Sequence, residues 1–320
     1  MKKTAMLICT ALLLFSSMVI AQDSVDKTLK VSPTSRLSID NMRGKLELIT
    51  SESDSVRVVG TLDEDAEAFV FEQRGNTVYV EVKTPQHRGV NFSSGDSKGS
   101  DLKVYAPASM DVDIKGVSMD VAAQNFTNDF DVRLISGDIV IGGIKGAIQL
   151  KTVSGDITSN NTAGNGSFET VSGDITDLEN TANEASYQAV SGDITVESER
   201  LSDVTMQSVS GDIDATLGTL RSIKMTTVSG DAELAAGLSE SARVEVKSVS
   251  GDVELKWKGD LHANFSVKSN AGGKITNHLT DDKVEKAKWG PSSTLEFKLG
   301  NATADISAIT VSGEITLSKE

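Results

Sequence analysis

Five letters, V-S-G-D-I, recur along this chain at nearly constant spacing. They appear as Ser136-Gly137-Asp138, Ser154-Gly155-Asp156, Ser172-Gly173-Asp174, Ser191-Gly192-Asp193 and Ser210-Gly211-Asp212, then Ser229-Gly230-Asp231, Ser250-Gly251-Asp252 and Ser312-Gly313-Glu314. The first seven serines are separated by 18, 18, 19, 19, 19 and 21 residues. A degenerate copy, Ser118-Met119-Asp120-Val121, precedes them. Gly272-Gly273-Lys274-Ile275 reads as the copy that follows Ser250, with Ser312 later still. A period near 20 residues means one small unit stacked on itself. Such a unit cannot bury its apolar face alone, so its neighbours must supply the core.

The residues around each motif say what the unit is. Leu150, Phe168, Tyr187, Met206, Met225 and Val246 stand four before successive motif serines, with polar residues such as Gln149, Lys151, Glu169 and Lys224 beside them. Alternation of period two is a strand with one buried face. Ile157, Ile175, Ile194 and Ile213 open a second strand after the motif. The two strands are out of phase, since Ile148 and Leu150 are even and Ile157 is odd. The alternation therefore breaks within the motif, and a strand that changes phase over a glycine turns a corner. Gly137, Gly155, Gly173, Gly192, Gly211, Gly230, Gly251 and Gly313 are the expected corner residues, adopting backbone that a Cβ would resist. Serine and aspartate are expected to hydrogen-bond backbone groups beside them.

The fold expected is all-β: a single-chain parallel β-solenoid (β-helix) of about ten rungs of 18–22 residues. It is expected to be right-handed, as parallel crossovers overwhelmingly are. Lys2, Lys3 and the apolar run Ala5 to Ile20 read as a signal peptide, residues 1–21, cleaved after Ala21. Residues 22–35 read as a linker, 36–110 as an N-terminal β region or cap, and 111–320 as the solenoid. Phe69–Gln73 and Thr77–Val82 read as a hairpin, 84–100 as a loop, and 276–293 as an excursion from the period.

Composition narrows the function. With 31 Lys+Arg against 46 Asp+Glu, the formal charge is −15. Such a surface repels nucleic acid and anionic lipid headgroups. Aromatic residues are 4% of the chain, which argues for a thin repetitive core. The one cysteine, Cys9, lies inside the signal segment.

Chemistry-bearing motifs are few. Asp138, Asp156, Asp174, Asp193, Asp212, Asp231 and Asp252 form a column that is the one candidate for calcium. Ca²⁺ needs six to eight oxygens, and one carboxylate per rung with no facing glycine-rich strip is a thin supply. Capping of corner amides is the expected role, with no metal and no cofactor. The repeated serines have no fixed histidine neighbour, so no catalytic residue is expected. His87, His262 and His278 lack metal spacing. Trp257 and Trp289 are read as plugs of the solenoid edge, with sugar stacking as the alternative.

The V-S-G-D-I copies at 153–157, 171–175, 190–194 and 209–213 resemble the bacterial β-strand repeat family labelled "putative adhesin". Thr310–Ile315 and Asp101–Val104 with Pro107 add to the likeness, which covers roughly residues 36–318. It implies a solenoid on the envelope or outside the cell, and no catalytic residues. The expected function is that of an exported, non-enzymatic envelope or surface protein that binds an unknown protein or glycan and no nucleic acid, located in the periplasm or on the outer surface. An envelope scaffold or regulatory binding protein is the first alternative, and a polysaccharide-acting β-helix enzyme the second.

Overall fold

The computed structural model describes residues 23–32, 34–85 and 98–320. The signal segment and most of the 84–100 loop, including His87, lie outside the described residues. Among these residues there are 25 strands in one large, mostly parallel sheet and no helix, hence none long and apolar enough to cross a membrane.

The stacking follows the two-phase pattern. Ile148–Lys151 pairs in parallel with Phe130–Arg133 on one side and Gly166–Glu169 on the other. Across the corner, Ile157–Asn160 pairs with Ile139–Gly142 and Ile175–Leu178. Residues one rung apart are therefore in register, and their inward side chains form columns. Ile139, Ile157, Ile175, Ile194 and Ile213 are all buried. Leu150, Phe168, Tyr187 and Met206 make a second buried column, with the rings of Phe168 and Tyr187 stacked at 5.0 Å. Each such side chain, fully buried, is worth roughly 1.5–3 kcal/mol. The motif serines mark the corner line through consecutive parallel bridges from Ser118 to Ser250.

The ends depart from sequence order. Arg36–Ser51, read as part of a cap, is a rung of the stack. It pairs in parallel with Asp111–Gln124, setting Leu37 against Val112, Ile39 against Ile114 and Leu46 against Val121. On its other side lie Thr77–Lys83 and Ser100–Pro107. At the C-terminal end, Ala304–Ser312 and Ile315–Lys319 sit between the rung ending at Trp257 and the strands Ala263–Ser269 and Ile275–Asn277. Ser312 thus neighbours Ser250 directly, and Gly273 lies beyond Gly313. The copy at Gly272–Ile275, expected to follow Ser250 in the stack, is one rung further out.

Antiparallel strands close both ends. Ser55–Thr61 covers Ser100–Pro107, Ala68–Arg74 covers Thr77–Lys83, and Ser293–Lys298 covers Ala263–Ser269. The expected hairpin is present, with Gly75 at φ +62° in its turn. The 22–35 stretch, read as a linker, contains the strand Ser24–Lys30, antiparallel to Ser55–Thr61. Its Val25 is buried, and Asp26 pairs with Arg57 at 2.8 Å. An unpaired stack end is a template for aggregation, and these flanking strands cover Ser100–Pro107, Thr77–Lys83 and Ala263–Ser269.

Candidate functional site

The corner line is the most regular surface of the molecule. Each letter of the motif has its own role there. The isoleucine enters the core. The glycine is needed because the preceding rung passes too close for a side chain. A Cβ on Gly192 would stand 1.9 Å from the Gly173 carbonyl oxygen, and one on Gly211 2.1 Å from that of Gly192. The conformational reason expected from sequence holds in part. Gly137, Gly155, Gly173 and Gly251 have φ between +128° and +158°. Gly192, Gly211, Gly230 and Gly313 lie outside that range, and close approach alone demands glycine there.

The aspartate completes the corner of the next rung. Asp138 Oδ1 accepts from Asp156 N at 3.0 Å, and Asp156 Oδ1 accepts from Asp174 N at 2.9 Å. Asp174, Asp193, Asp212 and Asp231 continue the ladder at 2.7–2.9 Å, and Asp252 Oδ1 accepts from Glu314 N at 2.7 Å. One oxygen of each carboxylate thus satisfies a backbone donor that would otherwise lack a partner. Among the described residues, no group of three or more His, Cys, Asp or Glu is placed to hold a metal ion.

The serine behaves differently from expectation. It bonds through its backbone, as in Ser154 N to Ile135 O at 2.9 Å. The hydroxyl that reaches a corner carbonyl belongs to the residue two before it. Thr152 Oγ1 donates to Gly137 O, and Thr170 Oγ1 to Gly155 O, both at 3.3 Å. The residue before each motif serine, valine in all but the first copy, points outward. Ile135, Val153, Val171, Val190, Val209, Val228, Val249 and Val311 are 37–53% exposed. The result is a ridge with an apolar column and a carboxylate column side by side.

Two features were not legible as sites. Asp177 is wholly buried in the column that Ile141 and Val196 occupy in other rungs. Its Oδ2 accepts from Tyr187 Oη at 2.6 Å and Asn180 Nδ2 at 2.7 Å, while Oδ1 has no partner. Burial pushes its carboxyl above the usual range, against the lowering effect of Asn180, Tyr187 and the neighbouring Ser159 hydroxyl. The signal in the sequence was a gap: Ser159 and Asp177 interrupt an apolar column. The second feature is Trp289. Trp257 is buried against Phe265 in a strand stacked on both sides, so it is part of the core and not an edge plug, and Trp289 is 86% exposed and plugs nothing.

Parallel rungs stacked in register on one repeated corner define a β-solenoid-like repeat protein. The model of the family Toastrack DUF4097 matches residues 34–318, and the chain belongs to that family. No curated protein matches it. Among solved structures it is similar to a putative adhesin from Bacteroides fragilis, at 14% identity and TM-score 0.38, covering 94% of this chain and 98% of that one. A putative adhesin from Parabacteroides distasonis gives 14% identity and TM-score 0.40, covering 93% and 98%. A putative lipid binding protein from the same organism gives 12% identity and TM-score 0.43, covering 93% and 97%.

Proposed function

We propose that the chain is an exported, non-enzymatic interaction module of the cell envelope or surface, adhesin-like, which holds a protein or glycan along its rigid acidic rod. In this reading residues 1–21 are removed on export, and the coil is right-handed.

The observation that carries the proposal is the exposed valine column. Stacked β-branched side chains favour a sheet whatever their polarity. Thr158, Thr176 and Thr195 stack in register in the next strand, outward and half-buried. The corner keeps valine instead, so water-facing apolar surface recurs rung after rung. A ligand that engages one rung finds the same chemistry at the next, and repeated weak contacts multiply.

The test joins location to surface chemistry. Protease shaving of intact cells, with the periplasmic fraction as control, reports where the protein resides. Val171→Lys, Val190→Lys and Val209→Lys together are expected to abolish attachment to cells or matrix while leaving the urea midpoint close to the parent's. Cytosolic retention, or cleavage of glycans by the purified protein, would overturn the reading.

A further inference from the structure

The charge of this protein is not evenly spread. Between residues 263 and 298 there are six lysines, Lys268, Lys274, Lys283, Lys286, Lys288 and Lys298, against four acids, although the whole chain carries −15. This segment forms the outermost strands of the C-terminal end. The corner carboxylate column also stops here. Its last member, Glu314, is engaged by Lys274 Nζ at 2.9 Å and by Thr276 Oγ1 at 2.5 Å. The next copy of the motif carries Lys274 itself in the acid's place.

From this end projects a short hairpin. Glu285–Lys286 pairs antiparallel with Ser293 and Thr294, and Ala287 N donates to Ser292 O at 2.9 Å across its neck. Gly290, at φ +106°, makes the turn. Pro291 lies beside Gly272, which fixes the tip against the terminal corner. Residues 285–291 are all exposed. Trp289 is at the tip, with Lys288 Nζ 5.9 Å from its ring centroid.

We propose that this end docks on an anionic lipid surface, with Trp289 at headgroup depth and Lys283, Lys286 and Lys288 pairing with lipid phosphates. An indole is amphipathic and prefers the membrane interface. Lysines beside an apolar anchor add attraction to anionic headgroups. The average charge, which by itself repels such a surface, is not the charge of this end: the carboxylate columns run along the rod, and the exposed Asp281, Asp282 and Glu285 here are matched by Lys283, Lys286 and Lys288, with Lys268, Lys274 and Lys298 against Glu296 in the strands behind them. Screening beyond about 8 Å at physiological salt further separates the two. Sugar stacking is less favoured: residues 285–291 form a convex projection, whereas a glycan site pairs an aromatic face with converging polar groups. This inference does not rest on the proposed adhesin role.

The chain has only two tryptophans, and Trp257 is buried, so Trp289 reports on its own surroundings. The mature chain is mixed with phosphatidylcholine vesicles with and without phosphatidylglycerol. A blue shift of emission, quenching by brominated acyl chains and co-sedimentation are expected with the anionic vesicles, weakening as salt rises. Trp289→Ala is expected to lose the spectral change, and Lys283→Glu, Lys286→Glu and Lys288→Glu together to cut the bound fraction at least about tenfold. All four positions are exposed, and an unchanged urea midpoint verifies that the variants fold. No spectral change on anionic vesicles overturns the proposal. So does binding that survives both variants, or a shift caused by soluble polysaccharide but not by vesicles.

Discussion

From Phe130 to Ala236 each rung pairs with the rungs before and after it in sequence; at either end, the rung nearest the terminus is threaded between two others. Arg36–Ser51 lies inside Thr77–Pro107, and Ala304–Lys319 lies inside Ala263–Asn277. The difference has a physical sense. A terminal strand at the edge of a stack frays, because its neighbours hold it on one side only. Threaded inward, it is hydrogen-bonded on both sides. The outer edges pass to antiparallel covers, internal segments at the C-terminal end and, at the N-terminal end, Ser55–Thr61 and Ala68–Arg74 with the first described strand, Ser24–Lys30, outermost. The middle is thus built for repetition and the ends for closure.

The sharpest way to break this comparison is to cross-link it. Ser250→Cys with Ser312→Cys should form a disulfide, because the two residues are register partners and rungs stack about 4.8 Å apart. Closing so long a loop should raise stability by roughly 4 kcal/mol, seen as a higher midpoint in urea without reductant. Ser250→Cys with Ala271→Cys should stay reduced, since Ala271 N bonds Val311 O one rung further out. If the second pair cross-links and the first does not, the stack follows sequence order and the threading is wrong. A chain starting at residue 22 lacks Cys9, so no native thiol competes.

Next in size is the corner itself. Gly192→Ala should cost about 3 kcal/mol, since its Cβ falls 1.9 Å from a backbone oxygen that cannot move without shifting a rung. Gly75→Ala, in the N-terminal hairpin, should cost only about 1 kcal/mol, because the turn needs positive φ but leaves open space for a methyl. Equal losses in urea melts would mean that glycine serves conformation at both places and that close stacking is not the constraint.

These two glycines also show what was legible in the sequence. The corner, the two-strand rung and the inward columns were readable because every copy repeats the same local demand. The reason for the glycine was only half readable, because a clash with the rung below is a contact between residues 19 apart that only the stacked backbone reveals. Strand Ser24–Lys30 and the threaded ends were missed for the same reason. Their partners are far away in sequence, and alternation alone carries no address. At the N-terminal end the glycine position is filled by Met119, buried and accepting Asn41 Nδ2 at 3.2 Å. It is the register partner of Gly44, whose own Cβ would stand 1.9 Å from the Ser100 carbonyl oxygen in the rung beyond. The corner survives there with its letters exchanged, and Ser118-Met119-Asp120 looked merely degenerate.

A smaller effect belongs to the polar break in the middle. Asp177 is buried without a cation, and burial raises its carboxyl. A group whose folded pKa lies above its unfolded one contributes stability that is complete below the unfolded value and lost as pH rises through the folded one. The mid-rod should therefore strengthen as pH falls towards the carboxylate range. Asp177→Asn should stabilise by about 1 kcal/mol at neutral pH, by removing a buried charge that two hydrogen bonds hold but no cation neutralises. Its advantage should vanish on acidification. Thermal melts of both proteins across that range decide it, and a constant gap would place Asp177 in water or beside an unseen donor.

The smallest expected effect separates the motif's letters within one rung. Ser191→Ala should change stability by no more than about 0.5 kcal/mol, because the serine hydroxyl is exposed and its corner bonds are backbone bonds. Thr170→Ala should cost about 1 kcal/mol, through the lost bond to Gly155 O and the lost methyl of a buried residue. The pair sits in neighbouring rungs of the same regular middle, so the end structures cannot confound it. Urea midpoints read both variants directly. A larger loss at Ser191 than at Thr170 would return the corner hydroxyl to the motif serine. It would also undo the division of labour along the ridge, in which glycine makes room for the preceding rung, aspartate caps the following one and valine is left facing outward for a partner.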